Sequence, residues 1–186
     1  MSTTTIILIV IAVVVLWAIY AYNSLVALVN QAKEAWSDIS VQLKRRYDLI
    51  PNLVETVKGY ATHESSVFER ITEARTHAIG AGTVAEQGQA ENMLTGALKS
   101  IFAVAEAYPD LKANQNFLQL QKELSDTEDK IQASRRFYNT AVMALNTAEQ
   151  SFPGNIIASS FGFKPMDLFE LSTNDSAAKE PVKVRF

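Results

Sequence analysis

The sequence predicts an all-α protein: an N-terminal transmembrane helix continuing into a long-helix, antiparallel, coiled-coil-like bundle of three to four helices. Three observations predict it. Residues 6–22 are an unbroken apolar run, and no charged side chain precedes Lys33. From Ala32 the apolar residues recur in steps of four and three, which is a helix period and not a strand period. Only seven Gly and five Pro occur in 186 residues, too few for the many turns of a β fold. The expected organisation is a tail and membrane anchor over 1–29, a helical bundle over 30–170 and a polar C-terminal tail over 171–186.

The anchor rests on length and flanks. About 20 helical residues, at ~1.5 Å each, cross a hydrocarbon core of ~30 Å. Trp17, Tyr20 and Tyr22 stand toward the end of the run, where interfacial aromatics anchor a helix. A cleaved signal peptide would need a basic start, a short apolar core and a small-x-small site. The opening MSTTT has no basic side chain and the core is too long, so an uncleaved anchor is expected. Lys33, Lys44, Arg45 and Arg46 all follow the run. The positive-inside rule then puts the N-terminus out and the domain in the cytoplasm.

The first bundle helix carries a seam: Ala32, Trp36, Ile39, Leu43, Arg46, Ile50, Leu53, Val57, Tyr60, Glu64, Val67, Ile71, Ala74, Ala78. It keeps its phase across Pro51, so a kink near Tyr47–Ile50 is expected in one helix ending around Gly80–Gly82. A second helix is expected from about Val84 to Tyr108, burying Met93, Leu94, Ala97, Leu98, Ile101, Val104 and Ala105. Tyr108-Pro109 stops it. A third is expected from Asp110 to Gln150, with Phe117, Leu120, Leu124, Thr127, Ile131, Ser134, Tyr138, Ala141, Leu145, Ala148 and Phe152 on its seam. Phe152-Pro153-Gly154 ends it. The aromatics Phe161, Phe163 and Phe169 imply a tail docked on the bundle.

Several strings carry a resemblance. They are Tyr22-Asn23-Ser24-Leu25-Val26, Glu34-Ala35-Trp36 and Gln42-Leu43-Lys44-Arg45-Arg46-Tyr47-Asp48-Leu49-Ile50-Pro51-Asn52-Leu53-Val54. To these are added Ala107-Tyr108-Pro109-Asp110-Leu111-Lys112-Ala113-Asn114, Arg135-Arg136-Phe137-Tyr138-Asn139 and Phe152-Pro153. Together they resemble the bacterial LemA family from Asn23 to Phe163. The resemblance implies a single-pass membrane protein whose soluble part is an antiparallel helical bundle, without enzymatic activity.

The search for chemistry returns no catalytic, cofactor-binding or metal residues. With no cysteine there is no thiolate metal site, disulfide or Cys nucleophile. His63-Glu64 begins like a zincin motif but has no second His four residues on. His77 is fourteen residues away, about 21 Å along a helix. No Glu-x-x-His pair, phosphate loop or nucleophile elbow occurs. A net charge of −3 argues against a nucleic-acid partner.

The residues that stand out are structural or interaction candidates: Trp36, Arg45, Arg46, Asp48, Pro51, Asp110 and Glu128. The Lys44-Arg45-Arg46 cluster would stand about 23–33 Å beyond the lipid edge on an upright helix, more than two Debye lengths of ~8–10 Å. It is therefore poorly placed for headgroups. Arg46 falls on the apolar seam and would need carboxylate partners, for which Glu128 and Asp110 are candidates. Asp48 could cap backbone N–H groups freed near Pro51.

The functional expectation is a non-enzymatic, self-associating scaffold on the bacterial inner membrane, with the lipid bilayer and like chains as partners and no cofactor. The alternative is an accessory or regulatory subunit of a membrane protease or transporter, bound to an unidentified membrane protein. Self-association is expected because the seam from Leu25 to Ile39 has no obvious intrachain cover, leaving Val29, Ala32, Trp36 and Ile39 for a second copy. The other possibility is that Phe161, Phe163 and Phe169 fold back over that stripe.

Overall fold

The computed structural model describes residues 2–170. The expected polar tail at 171–186 lies outside the described residues. Among the described residues there are six helices and no strand: α1 (Thr3–Lys58), α2 (Ser65–Ile79), α3 (Val84–Glu106), α4 (Pro109–Lys112), α5 (Gln115–Gln150) and α6 (Gly154–Phe161). The all-α class stands, with an apolar N-terminal helix leading into a helical bundle.

The helix boundaries differ from expectation in three places. The first seam is not one helix to Ala78, because α1 stops at Lys58 and a turn at Gly59 and Tyr60 leads to α2. The seam keeps its phase because both helices face one core. The break falls at Gly59, which loses about 1 kcal/mol of helix preference to Ala, and not at Pro51, which lies inside α1. The expected third helix is also divided. Asn114 Oδ1 accepts the backbone N–H of Phe117 at 3.1 Å and starts α5. Finally, α6 was not expected at all, and the Ser151–Pro153 turn leads straight into it.

The start of α3 carries a capping box. Thr83 accepts from the Glu86 N–H at 3.2 Å, and the Glu86 carboxylate accepts from the Thr83 N–H at 3.1 Å. These hydrogen bonds to the backbone of Gly82 and Thr83 hold the Glu86 carboxyl below its ordinary range.

The chain forms two compact units. The first comprises Met1–Val41 and Ile131–Leu168. In it Trp36 meets Tyr138 with ring centroids 5.3 Å apart, while Leu25 clusters with Leu145, so the two long segments run antiparallel. Tyr138 is buried and donates to the Asp167 carbonyl at 2.8 Å. Asn146 clamps the Met166 backbone, donating to its carbonyl at 2.9 Å and accepting its N–H at 3.0 Å. This corrects the uncovered stripe: Leu25, Ala32 and Ile39 are buried within the chain, and Trp36 is half-buried. Phe152, expected on the seam, is 81% exposed beyond the end of α5.

Among the described residues the second unit comprises Gln42–Lys130 with Phe169 and Glu170. Its core joins Ile50, Leu53 and Val57 of α1 with Val67 and Ile71 of α2, Leu94 and Ile101 of α3, and Phe117 and Leu124 of α5. Met93, expected inside, is exposed on α3. Phe169 is fully buried in this unit. Its main chain passes so close to α3 that a Cβ on Gly88 would stand 2.5 Å from the Glu170 carbonyl oxygen.

Candidate functional site

A buried polar cluster of charged and hydrogen-bonding groups lies in the second unit. It begins with Arg46, which α1 presents on its apolar face, three and four residues from Leu43 and Ile50. The guanidinium is 3% exposed and cannot shed its charge, so it needs fixed acceptors. Nη1 lies 3.2 Å from Glu91 Oε2 and 3.0 Å from Glu128 Oε2, and Nη2 donates to Thr95 Oγ1 at 2.6 Å. One cation thus ties α1 to α3 and α5.

Around Glu91 the network closes. Its other oxygen accepts a hydrogen bond from the Tyr47 hydroxyl and another from Gln87 Nε2 at 3.0 Å. Gln87 Nε2 also reaches the Tyr47 hydroxyl at 2.8 Å and the Ala78 carbonyl at the end of α2 at 3.1 Å. Burial raises the Glu91 pKa; the hydrogen bond from Tyr47 and the charge of Arg46 work in the opposite direction. Burial and the adjacent Glu91 push the Tyr47 phenol up, so it stays protonated and donates. A cavity of about 460 Å³ opens beside the cluster, lined by Arg46, Thr95, Lys99, Phe102, Glu128 and Asp129.

Pro51 is linked to the same cluster through the backbone. A proline has no N–H, so the carbonyl four residues earlier, that of Tyr47, loses its helical donor. Arg75 of α2 supplies one, with Nε donating to the Tyr47 oxygen at 2.8 Å. Asp48 has a different fate from the one expected. It is exposed, and α1 continues across Pro51 without an internal cap. Arg45 is also exposed, and Asp110 stands exposed in the first turn of α4, apart from the Arg46 carboxylates. Trp36 belongs to the first unit, against Tyr138.

Sequence reasoning reached Arg46 and Glu128 and missed Glu91, Tyr47, Gln87, Thr95 and Arg75. Glu91 carried a usable signal. It lies on the series Gln87, Glu91, Leu94, Leu98, Ile101, Ala105, a charge on an apolar seam like Arg46 itself. Chemically the cluster holds a guanidinium whose two terminal nitrogens are met by Glu91, Glu128 and Thr95. Among the described residues no group of His, Asp and Glu could hold a metal ion. His63 and His77 are both exposed.

Residues 35–186 match the model of the LemA family. Magnetosome protein MamQ of Magnetospirillum gryphiswaldense is 25% identical, over 80% of this chain and 64% of the relative. Protein LemA of Metamycoplasma hominis is 29% identical, over 81% of this chain and 69% of the relative. The chain thus spans just under two thirds of the MamQ protein it matches. With the family match running from the first bundle segment to the last residue, the chain belongs to the LemA family.

Proposed function

We propose that this chain is a non-enzymatic, single-pass membrane-anchored helical-bundle protein that serves as a self-associating scaffold at the bacterial inner membrane. The observation that carries the reading is α1. It is one uninterrupted helix whose first part is long and apolar enough to cross a membrane and has no fully buried residue before Leu25, and whose continuation is buried in helical cores. In the second unit the buried polar cluster ties α1 to α3 and α5 through one guanidinium, which favours a structural role over catalysis. Parallel anchors in one bilayer raise the effective concentration of like chains, which favours self-association. The stripe at Ala32 and Ile39 is buried in the chain, so the contact between copies uses other surfaces.

Crosslinking in intact cells followed by mass spectrometry tests the scaffold. Links between like chains at exposed positions such as Phe137 and Met143 are expected. A stoichiometric foreign membrane protein, with no like-chain links, would replace the scaffold with an accessory subunit. The basic residues after the apolar run favour a cytoplasmic domain. A reporter active only in the cytoplasm, fused after Phe186, is expected to work; activity only from an exported reporter would reverse the orientation.

A further inference from the structure

We infer that the turn after α5 and α6 form a second membrane contact, with Phe161 and Ile156 seated in the acyl-chain boundary of the bilayer that α1 crosses. The inference rests on the reading of α1 as a membrane span. Along that helix depth can be counted. Ser2–Thr5 are polar, so the hydrocarbon core begins no earlier than Ile6. A core of ~30 Å takes about 20 helical residues, which puts its far edge near Leu25. Val15, Ala18 and Ile19 therefore lie within it. Phe161 shares a small crevice of about 280 Å³ with these three residues and Tyr22. Its ring centroid is 4.8 Å from that of Tyr22, and Phe163 packs on Tyr22 at 5.6 Å. The C-terminal end of α6 is thus held at the depth of lipid tails by contacts on α1 itself.

The composition of the segment fits that position. Residues 151–163 contain no charged side chain. Ile157 and Ala158 are buried against Leu25 and Leu145, while Phe152, Ile156 and Phe161 are 81%, 52% and 64% exposed. Three large apolar side chains in so short a segment would be an unfavourable surface in water. In lipid they gain burial, as on a helix lying at an interface. The Ser159 and Ser160 hydroxyls donate to the Ile156 carbonyl at 3.1 and 2.7 Å, so they bring no unsatisfied donor into an apolar medium. Lys164 follows the aromatics and is exposed, with a stem long enough to place its ammonium among phosphates.

The protein contains no cysteine, so single spin labels can be placed directly. The full chain is reconstituted in phosphatidylcholine–phosphatidylglycerol vesicles with one label at Phe161→Cys or Ile156→Cys. Leu8→Cys serves as the lipid reference and Val41→Cys as the water reference. Accessibility to dissolved oxygen relative to a water-soluble nickel chelate is expected to be several-fold higher at 161 and 156 than at 41, approaching that at 8. Values at both test sites equal to that at 41, with residue 8 in lipid, would overturn the inference and leave the anchor standing. Water-like values at residue 8 itself would instead overturn the span and the inference together. Dipolar broadening at 161 that disappears on dilution with unlabelled chain would show a second copy in place of lipid, and would also overturn it.

Discussion

Arg46 is the residue on which the second unit's charge balance turns. Its guanidinium is nearly inaccessible and divided between Glu91 and Glu128. Removing one partner of such a buried pair leaves the other charge uncompensated, which costs about 3–5 kcal/mol. Arg46→Ala is therefore expected to lose that much stability in denaturant unfolding. Arg46→Met with Glu91→Met should recover most of it, because an apolar pair of similar size is often neutral. A loss below about 1 kcal/mol in the single variant would show that solvent reaches the cluster. Glu91 adds a pH dependence whose sign is fixed by its surroundings. Burial raises its pKa above the ordinary 4.5 in the folded state, against the pull of Tyr47, Arg46 and Gln87 and with a contribution from Glu128. The folded chain thus holds this proton more tightly than the unfolded chain. The associated stability is complete below the unfolded value and is lost as pH rises through the folded one. Glu91→Gln removes the titration, so its stability relative to the parent should improve as pH rises above the ordinary carboxylate range. Glu86 shifts the opposite way, which is why the difference between the two proteins is the quantity to measure. A difference constant with pH would mean that Glu91 is no harder to ionise in the fold than in the unfolded chain.

At the scale of elements, the sequence was legible where burial is periodic and illegible where backbone geometry decides. Ala32, Ile39, Leu43, Ile50, Leu53 and Val57 were all on the expected seam and are all buried. The same periodicity concealed the turn after Lys58, since Val67, Ile71, Ala74 and Ala78 continue the phase on α2 while facing the same core. Pro51 pointed to a distortion because a missing N–H is visible in a sequence; the Arg75 donor that satisfies Tyr47 comes from another helix and is not. The Thr83-x-x-Glu86 capping signal stands at the expected start of the second helix, where it fixes the boundary at Val84. Gly88 lies in α3 against the tail at Phe169 and Glu170. Two glycines of this one helix make a matched experiment. Gly96 has nothing within 4 Å of an added Cβ, so Gly96→Ala should stabilise by about 0.5–1 kcal/mol through helix preference alone. Gly88→Ala earns the same preference but drives Cβ into the Glu170 carbonyl. Displacing the buried Phe169 costs about 1.5–3 kcal/mol, so a net loss of about 1–2 kcal/mol is expected in urea unfolding. Equal stabilisation by both substitutions would show that the tail does not dock on α3.

At the scale of the whole molecule, the question is whether the apolar N-terminal segment is only an anchor or also part of the fold. Its first part, Ile6 to Leu16, is exposed throughout. Its last turns differ. Trp17, Ala18 and Ala21 pack on the cluster of Leu25, Leu145, Ile157 and Ala158, and Tyr22 carries Phe161 and Phe163. A removable leader would not be built into a core, so an intact mass that includes residues 6–22 is expected for the membrane-extracted protein. The same contacts predict unequal effects of two truncations. Deleting residues 2–13 removes only exposed positions and should leave the melting temperature of the first unit, measured in one detergent throughout, essentially unchanged. Deleting residues 2–22 removes the side chains that cover Ile157, Ala158 and Phe163. A large apolar side chain contributes about 1.5–3 kcal/mol when fully buried, and each kcal/mol moves melting by about 2–4 °C in a chain of this size. The longer deletion should therefore melt about 5 °C or more below the shorter one, with the signal followed at Trp36 beside Tyr138. Identical melting of the two truncated proteins would mean that the fold begins after Tyr22 and that the contacts of Trp17 to Tyr22 add nothing to it.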